Sequence, residues 1–381
     1  MRLYQIAVLY VCTVLTVNCL YIPQPIQPLL AEIYGVSLVH SALLTTLTLL
    51  PLGIAPIAYG TFVESISPKF MMSLSLFLLA LGQFFFVWVD DFGWMIGARV
   101  FQGFLFPAIL TSIMTYISQY SVPNRVGRNI RVYIAITIIG GFLGRFLSGW
   151  FTQILGWQFH FIFSGVFLLI AFCGVFSLEG IRDKKVRLDI SAFRKVLSNR
   201  IFFRIYLTTF LAFFIFTAIM NFIPFRISHI DGVIDPGRAG TLYLGYLCGI
   251  FTSLLVTRAQ RIFDDRRFVP LLSLIFLSMS LLSFLIPVYE VTLVGLLVVC
   301  GCFFFNHAFF SGYLNDFSSI NKGMVNGLYV SFYYTGGSLG SFLPGVLFEL
   351  AGWEWFLVLL LFLAACQGVL IYSLGTLNSK T

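Results

Sequence analysis

The chain has 381 residues, of which 59% are hydrophobic and 10% are charged, and its formal net charge is +8. Soluble domains carry about 25% charged residues, so this composition excludes an ordinary water-soluble protein. The apolar residues form continuous runs of about 20 residues, the length of a membrane-spanning helix and not of a barrel strand. The positive charge lies in short loops between these runs, as in membrane proteins. We therefore predict an all-α integral membrane protein in a lipid bilayer, with no nucleic-acid partner.

In chain order, the apolar runs predict twelve transmembrane helices. The first six cover residues 6–29, 41–63, 70–89, 94–119, 128–155 and 157–178. The second six cover residues 201–227, 238–257, 268–288, 291–314, 323–350 and 353–377. The longest polar stretch falls between the two sets. The predicted domains are a six-helix bundle over 1–178, a basic cytoplasmic linker over 179–200 and a second six-helix bundle over 201–381.

The loops between the predicted spans differ in their content of basic residues. Nineteen of the 23 Lys and Arg residues lie in loops and termini on one side, and two lie on the other. Cytoplasmic loops carry the excess of basic residues, so this asymmetry predicts that both termini are cytoplasmic. The apolar run after Arg2 lacks a small-residue cleavage site, and we interpret it as a retained first span.

Two stretches repeat one pattern at an offset of 196 residues. Residues 140–157 read GGFLGRFLSGWFTQILGW, and residues 336–353 read GGSLGSFLPGVLFELAGW. A gap-free register of this length indicates two copies of one module, and hence two pseudo-symmetric bundles. Glycines at four- and five-residue spacing form a flat helix face for close packing. The repeat carries Gly140, Gly141, Gly144 and Gly149 onto Gly336, Gly337, Gly340 and Gly345. Pro344 of the second copy stands where the first copy has Ser148, and we assign it to the same packing motif.

Two arginines lie inside predicted spans, where a charge is costly and marks a functional candidate. Arg99 shares a helix face with Gln102, and the neighbouring Gly103 allows a second backbone to approach. Arg145 stands among the glycines of the fifth span, where the second copy has Ser341. Arg145 is a candidate for anion binding or gating. For both arginines, snorkelling to the outer interface is the structural alternative.

The acidic residues all lie near span ends or in loops. The charge inside the membrane is therefore positive, which favours an anionic or neutral polar substrate. Histidine ordinarily titrates near neutral pH, which makes His307 a candidate carrier of a coupling proton, although a packing role beside Asn306 is equally open. Asn18 adds a polar group to the first span, which the prolines within residues 23–28 are expected to bend.

An enzymatic site is not indicated. The seven cysteines lie in apolar runs without the spacing of a metal site. The sequence shows no nucleophile, metal cluster or acid–base pair that would form an active site. We therefore predict a monomer that is not an enzyme and that needs no metal or cofactor.

These features resemble the major facilitator superfamily. The resemblance rests on two six-span halves, a basic central loop and the pattern Arg99-x-x-Gln102-Gly103. Tyr133, followed by Gly-Gly-x-x-Gly-Arg and Gly-Trp, and the opening YIPQPIQPLLAEIYGV resemble the drug–proton antiporter branch, including bacterial sugar efflux permeases. In that family the fourth-span arginine is implicated in proton coupling and the glycine-rich fifth span in antiport.

The loop between the second and third spans departs from the family pattern Gly-x-x-x-Asp-Arg-x-Gly-Arg-Arg. Gly60, Glu64 and Lys69 stand at the first glycine, the acid and one base, whereas Ser65 replaces the arginine after the acid. The fifth span of many antiporters has Gly-Pro, where this chain has Arg145 nearby and a proline in the second copy alone.

The resemblance implies a secondary active transporter in the inner membrane of a bacterium. The expected function is proton-coupled efflux of a small organic compound by alternating access. The arginines direct this expectation towards a polar or anionic metabolite, a carboxylate siderophore or a drug. The alternatives are an uptake permease for a similar solute and a general multidrug–proton antiporter. A membrane-embedded enzyme or a sensor is a further class, for which the sequence shows no supporting constellation.

Overall fold

The structure is a computed structural model that describes residues 3–62, 67–122, 125–179, 190–262, 265, 267–317 and 322–375. The chain divides into two compact units. Unit 1 comprises Met1–Leu188 with Ile234–Thr241, and unit 2 comprises Asp189–Val233 with Leu242–Thr381. The predicted domain limits at residues 178 and 200 stay predictions.

The described residues form sixteen α-helices and one 3₁₀ turn. The first seven helices are α1 Leu3–Tyr21, α2 Gln27–Tyr34, α3 Leu38–Phe62, α4 Pro68–Trp88, α5 Phe92–Tyr120, α6 Val126–Leu155 and α7 Gln158–Val175. The next four are α8 Ile190–Ser198, α9 Arg200–Asp231, α10 Pro236–Leu242 and α11 Gly245–Ile262. The last five are α12 Phe268–Ser283, α13 Tyr289–Phe317, α14 Lys322–Gly340, α15 Leu343–Ala351 and α16 Trp353–Tyr372.

The helices agree with the apolar runs of the sequence. Within the described residues, nine helical segments are long and apolar enough to cross a membrane, and two shorter apolar helices cover Leu38–Ile54 and Phe268–Ser283. The prediction of an all-α chain of membrane-spanning helices is confirmed, whereas the count of twelve stays a prediction. Part of the predicted linker is itself helical, since α8 lies within residues 179–200.

The first predicted span is broken where its prolines lie. After α1 ends at Tyr21, a 3₁₀ turn covers Gln24–Ile26 and precedes α2. Proline has no N–H group and cannot donate the helical hydrogen bond to the carbonyl four residues earlier. Pro23 therefore leaves the carbonyl group of Cys19 without its helical donor. Pro25 does the same for the carbonyl group of Tyr21.

In unit 1, the glycine face of α6 lies directly on α1. A side-chain carbon at Gly140 would lie 2.8 Å from the carbonyl oxygen of Val14. One at Gly144 would collide with the backbone of Asn18. The glycines therefore let the two helix backbones approach each other more closely than any side chain would allow.

Unit 2 repeats this packing between α14 and α9. A side-chain carbon at Gly336 or Gly340 would collide with the backbone of Phe210 or Phe214, respectively. These four residues lie 196 positions after their counterparts in unit 1. The sequence repeat is thus also a repeat of helix–helix contacts.

A tyrosine fixes the other end of the same helix pair in each unit. The hydroxyl of Tyr10 donates to the carbonyl oxygen of Asn129 at 3.2 Å. The hydroxyl of Tyr206 donates to the carbonyl oxygen of Val325 at 3.1 Å. Both partners are again offset by 196 residues, so the register of the two helix pairs is the same.

The two units differ in which helix of the pair is broken. Unit 1 has a broken first span and a continuous α6 of 30 residues. Unit 2 has a continuous α9 of 32 residues and a break between α14 and α15. Pro344 lies in the first turn of α15, where proline is tolerated. Proline placement therefore makes the two copies structurally unequal.

We predict that Gly144→Ala destabilises the protein, because the added methyl group collides with the backbone of Asn18. Overpacking of this kind costs about 1–3 kcal/mol. Gly127→Ala on the same helix is the matched control, since its added carbon meets Nη1 of Arg131 at 3.7 Å, an ordinary contact distance. Thermal unfolding of both variants in detergent tests this, and equal melting temperatures would contradict the close contact.

Candidate functional site

Arg99 in α5 is fully buried, with 0% of its surface exposed. Its Nη2 donates to the carbonyl oxygen of Leu20 at 2.6 Å, and its Nη1 donates to that of Cys19 at 3.2 Å. Its Nε donates to the carbonyl oxygen of Leu44 in α3 at 3.1 Å. The side chain therefore does not reach the protein surface as a snorkelling arginine would.

The broken end of α1 explains how a buried cation is stabilised here. The C-terminal end of a helix carries unpaired carbonyl groups and a partial negative charge. Arg99 supplies the donor that Pro23 cannot give to the carbonyl group of Cys19. The hydroxyl of Ser148 in α6 donates to the carbonyl oxygen of Ile22 at 2.6 Å. Side chains of other helices thus complete the hydrogen bonding of this helix end.

Gln102 and Gly103 complete the contacts of α5. Oε1 of Gln102 accepts from Nη1 of Arg99 at 2.7 Å, as the three-residue spacing leads one to expect. A side-chain carbon at Gly103 would lie 3.0 Å from the carbonyl oxygen of Thr48. The structure therefore brings Arg99 and Gly103 against α1 or α3, whereas the side chain of Gln102 lies beside Gly82 of α4.

Arg145 holds the same helix end from α6, and 1% of its surface is exposed. Its Nε donates to Oε1 of Gln24 at 2.5 Å, and its Nη1 donates to the carbonyl oxygen of Gly141 at 2.8 Å. Its guanidinium carbon lies 3.5 Å from the ring centroid of Tyr21, which is a cation–π contact. We call Arg99, Gln102, Arg145, Tyr21 and Gln24 the arginine cluster.

Asn18 borders the arginine cluster in α1. Its Oδ1 accepts from the hydroxyl of Ser164 in α7 at 3.1 Å. Its backbone meets Gly144, as described above. Asn18 therefore joins α1 to α7 and α6, and it is buried.

The remaining glycines of the predicted faces also lie against neighbouring segments. Gly149 packs on the backbone of Gly240, which belongs to the segment Ile234–Thr241 of the same unit. In unit 2, Gly337 faces the ring of Phe213. Both positions are close-packed and would not accept a side chain without displacement.

His307 in α13 lies on the wall of a cavity in unit 2. We call this space the histidine cavity. Its walls are formed by Thr209, Ala212, Phe303, Asn306, His307, Phe310, Tyr329 and Tyr333.

The hydrogen bonds of Tyr329 define the tautomer of His307. The hydroxyl oxygen of Tyr329 lies 3.0 Å from Nδ1 of His307 and 3.2 Å from the carbonyl oxygen of His307. A carbonyl oxygen accepts but cannot donate, so the single hydroxyl hydrogen serves the carbonyl. Nδ1 then donates to the hydroxyl oxygen, which leaves Nε2 as the acceptor atom of the ring.

Stacked aromatic rings form the rest of this region. The ring of Phe303 lies 3.9 Å from that of Phe216, and the ring of Tyr333 lies 3.7 Å from that of Phe213. The imidazole of His307 lies 4.8 Å from the ring of Tyr333. The walls are therefore rigid and apolar, with a few polar atoms among the rings.

Asn306 lies between the histidine cavity and a second one. Its Nδ2 donates to the hydroxyl oxygen of Ser273 at 3.3 Å. We call the second space the amide cavity, because side-chain amides from α13 and α16 face it. Its walls are formed by Ala212, Ile215, Phe216, Leu277, Val299, Phe303, Asn306 and Gln367.

Lys69 caps a helix in unit 1. Its Nζ donates to the carbonyl oxygen of Phe176 at 3.1 Å and to that of Leu178, at the C-terminal end of α7. A cation is favourable there because of the helix dipole. Glu64 of the same loop pattern lies outside the described residues, and Gly60 lies in α3, where its surroundings are not described.

Unit 2 contains the equivalent cap. Nη1 of Arg267 donates to the carbonyl oxygen of Tyr372 at 3.0 Å, and Tyr372 lies 196 positions after Phe176. The same guanidinium donates to the carboxylate of Asp265 at 2.8 Å. This hydrogen bonding lowers the pKa of the Asp265 carboxyl below its usual value.

Several residues of these sites escape a sequence-based search. Tyr21 opens the segment YIPQPIQPLLAEIYGV, but nothing in the sequence marks its ring as a partner of Arg145. Thr209 resembles any other threonine in an apolar helix. Gln367 carries a usable signal, because it is an amide inside the apolar run LFLAACQGVLIY. Among the described residues, no group of three or more His, Cys, Asp or Glu is placed to hold a metal ion.

Sequence comparison relates the chain to transporters. Residues 9–253 match the sequence model of the Major Facilitator Superfamily. The inner membrane transport protein YnfM of Escherichia coli is 25% identical over 94% of this chain and 88% of its own length. The MFS-type transporter YybF of Bacillus subtilis is 23% identical over 89% of this chain and 85% of its own length. A transporter of Buchnera aphidicola is 25% identical over 85% of this chain and 80% of its own length.

Solved structures share the fold at low sequence identity. A bacterial homolog of the human lysosomal transporter Spinster, in an inward-facing and occupied conformation, has a TM-score of 0.81 at 14% identity. The match covers 98% of this chain and 97% of that chain. The nucleoside transporter NupG has a TM-score of 0.77 at 13% identity, over 97% of this chain and 99% of that chain.

We predict that Arg99→Met destabilises the protein, because it leaves the carbonyl groups at the end of α1 without donors. The loss is about 3 kcal/mol, as for other buried charged partners. Arg131→Met removes an exposed arginine from α6 and is the matched control. Thermal unfolding in detergent measures both. If the two variants have the same melting temperature, Arg99 does not stabilise the broken helix.

Proposed function

Because the chain belongs to the Major Facilitator Superfamily and is a multi-pass membrane transporter with bacterial relatives, we propose that it exports a small organic compound by proton-coupled alternating access. The superfamily resemblance predicted from the sequence is confirmed, and the drug–proton antiporter branch is part of the proposal. The observation that carries the proposal is the position of His307 on a cavity wall, with one ring nitrogen committed to Tyr329.

His307 is suited to carry the coupling proton. Imidazole is the side chain whose ordinary titration lies nearest neutral pH, so a change in the hydration of the cavity during transport would load or release a proton. Nδ1 is held by Tyr329, and Nε2 is the atom that would take the proton. The other titratable side chains on this wall, Tyr329 and Tyr333, are phenols that stay neutral at physiological pH.

The arginine cluster supports a polar or anionic solute. Arg99 is 0% exposed, and the acceptors named above for it are uncharged oxygens. These oxygens do not cancel its charge, and the field of a charge extends further in a medium of low dielectric constant. In this proposal the positive charge of the arginine cluster attracts the solute, and Arg99 also holds α1 through its hydrogen bonds.

The proposal includes the predicted topology and state of the protein. It places the chain in the inner membrane of a bacterium, with both termini in the cytoplasm and with a monomer as the working unit. Transport would need protons and the solute, and neither a cofactor nor a chemical reaction. The asymmetry of basic loop residues supports this orientation.

We predict that His307→Gln abolishes proton movement coupled to transport, because an amide keeps hydrogen-bonding capacity but cannot take up a proton. Everted membrane vesicles with a pH-sensitive dye measure this when a panel of anionic, neutral and cationic compounds is added. His160→Gln is the matched control, since His160 is a buried histidine that lies outside both cavities. Undiminished coupling in His307→Gln would contradict the assignment.

The compound panel also separates the proposed solutes. Collapse of the proton gradient by anions supports the role given to the arginine field. Collapse by lipophilic cations alone favours the general multidrug antiporter, and the argument from positive charge is then wrong.

We predict that energised whole cells that express the protein hold less of the transported compound than cells that express His307→Gln. The reason is that an antiporter uses the inward proton gradient to drive its solute outward. Accumulation measured with a labelled compound tests the direction. Higher accumulation in cells with the wild-type protein would favour the uptake permease.

A further inference from the structure

Three buried oxygen atoms on the walls of the histidine and amide cavities have no hydrogen-bond partner among the described residues. They are Oγ1 of Thr209, Oδ1 of Asn306 and Oε1 of Gln367. The three side chains are at most 3% exposed. Buried polar atoms are almost always paired with protein groups or ordered water, because an unpaired one costs its full desolvation penalty. These oxygens therefore point to a hydrogen-bond donor that the protein chain does not supply.

The three oxygens belong to residues that line two adjoining cavities. Thr209 and Asn306 are on the wall of the histidine cavity, and Asn306 and Gln367 are on the wall of the amide cavity. The free space of each cavity is about that of one water molecule. A cavity of this size holds water when its walls offer two to four polar partners, and it stays empty when they are apolar.

We propose that one water molecule binds in each cavity and that the two waters connect His307 to Gln367 through Asn306. The proposal concerns the hydration of unit 2, and it does not depend on the direction or the energy source of transport. It assigns to unit 2 a buried site whose ligand is a small hydrogen-bond donor. An anion is excluded as the ligand because two of the three unpaired atoms are amide oxygens, whose partial negative charge repels it.

The donors and acceptors balance in this arrangement. Water in the histidine cavity accepts from the hydroxyl of Thr209 and donates to Nε2 of His307 and to Oδ1 of Asn306. Water in the amide cavity donates one hydrogen to Oδ1 of Asn306 and the other to Oε1 of Gln367. A carbonyl-type oxygen has two lone pairs, so Asn306 can accept from both waters.

The amide nitrogens fix the orientation that this arrangement needs. Nδ2 of Asn306 donates to the hydroxyl of Ser273 in α12, and Nε2 of Gln367 donates to the carbonyl oxygen of Thr208 in α9 at 3.3 Å. Each amide therefore directs its oxygen away from these partners. The waters would join α9, α13 and α16 in a region whose other contacts are aromatic stacking.

The sign of a stability change tests the proposal. Gln367→Met keeps the size of the side chain but removes the acceptor oxygen. If water is bound, the variant loses a water-mediated bridge and its melting temperature falls by about 2–4 °C. If the cavity is dry, the variant removes an unpaired buried oxygen and melts higher than wild type, which overturns the proposal.

Gln83→Met is the matched control for this measurement. Gln83 in α4 is fully buried, neither of its amide atoms has a hydrogen-bond partner among the described residues, and it lies outside both cavities. We expect Gln83→Met to melt no lower than wild type, so that Gln367→Met is the variant that loses stability. Equal shifts in the two variants would contradict a specific water at Gln367.

A direct measurement on the wild-type protein covers the case in which a variant fails to fold. Radiolytic hydroxyl-radical labelling with mass spectrometry modifies side chains next to bound water. We expect Phe303, which lines both cavities, to be labelled faster than Phe86, which is buried in unit 1 outside them. The label at Phe303 should be lost in Asn306→Leu. Equal labelling of Phe303 and Phe86 in the wild type would overturn the proposal.

Discussion

The hydrogen bonds between Arg99 and the broken end of α1 are the interaction on which unit 1 depends. A backbone carbonyl inside a membrane protein must find a donor, because lipid offers none. Pro23 removes the donor of the Cys19 carbonyl, and Arg99 replaces it from a different helix and also donates to the neighbouring carbonyl of Leu20. The partial negative charge of the helix end stabilises the guanidinium in return. The break after α1 therefore needs the guanidinium of Arg99 as a donor, and the buried guanidinium needs the carbonyl groups of the break as acceptors. Arg145 strengthens the arrangement by stacking on Tyr21.

The glycine faces set how closely the helix pairs approach in both units. They place α6 on α1 and α14 on α9 at backbone contact, and the same register is fixed by Tyr10 and Tyr206. On this common frame the two copies differ in which helix is broken. A broken first helix needs donors, and Arg99 and Ser148 supply them in unit 1. The continuous α9 of unit 2 has no such requirement at the equivalent position.

The interior of unit 2 differs from that of unit 1, because a continuous α9 needs no buried arginine as a donor. Where unit 1 places guanidinium groups, unit 2 has stacked aromatic rings, two amides and a histidine. Ser341 stands at the position of Arg145, and its carbonyl oxygen accepts from Asn221 at 2.9 Å. The two copies thus carry fixed charge in one unit and a titratable group in the other. In the proposed mechanism this division would separate the proton from the attraction for the solute, because the two would reside on different side chains.

The sequence by itself determined the membrane environment, the helical spans, the internal repeat and the pairing of Arg99 with Gln102. These features are local or periodic, because apolar runs, a constant offset and a three-residue spacing need no knowledge of distant contacts. Tertiary structure alone decided that Arg99 bonds carbonyl groups 79 and 80 residues away, that Lys69 caps α7 and that Asn306 and Gln367 face one cavity. Backbone carbonyl groups are identical in every residue, so no side-chain pattern can mark which of them will accept. Which polar atoms share a cavity depends on how helices distant in sequence pack.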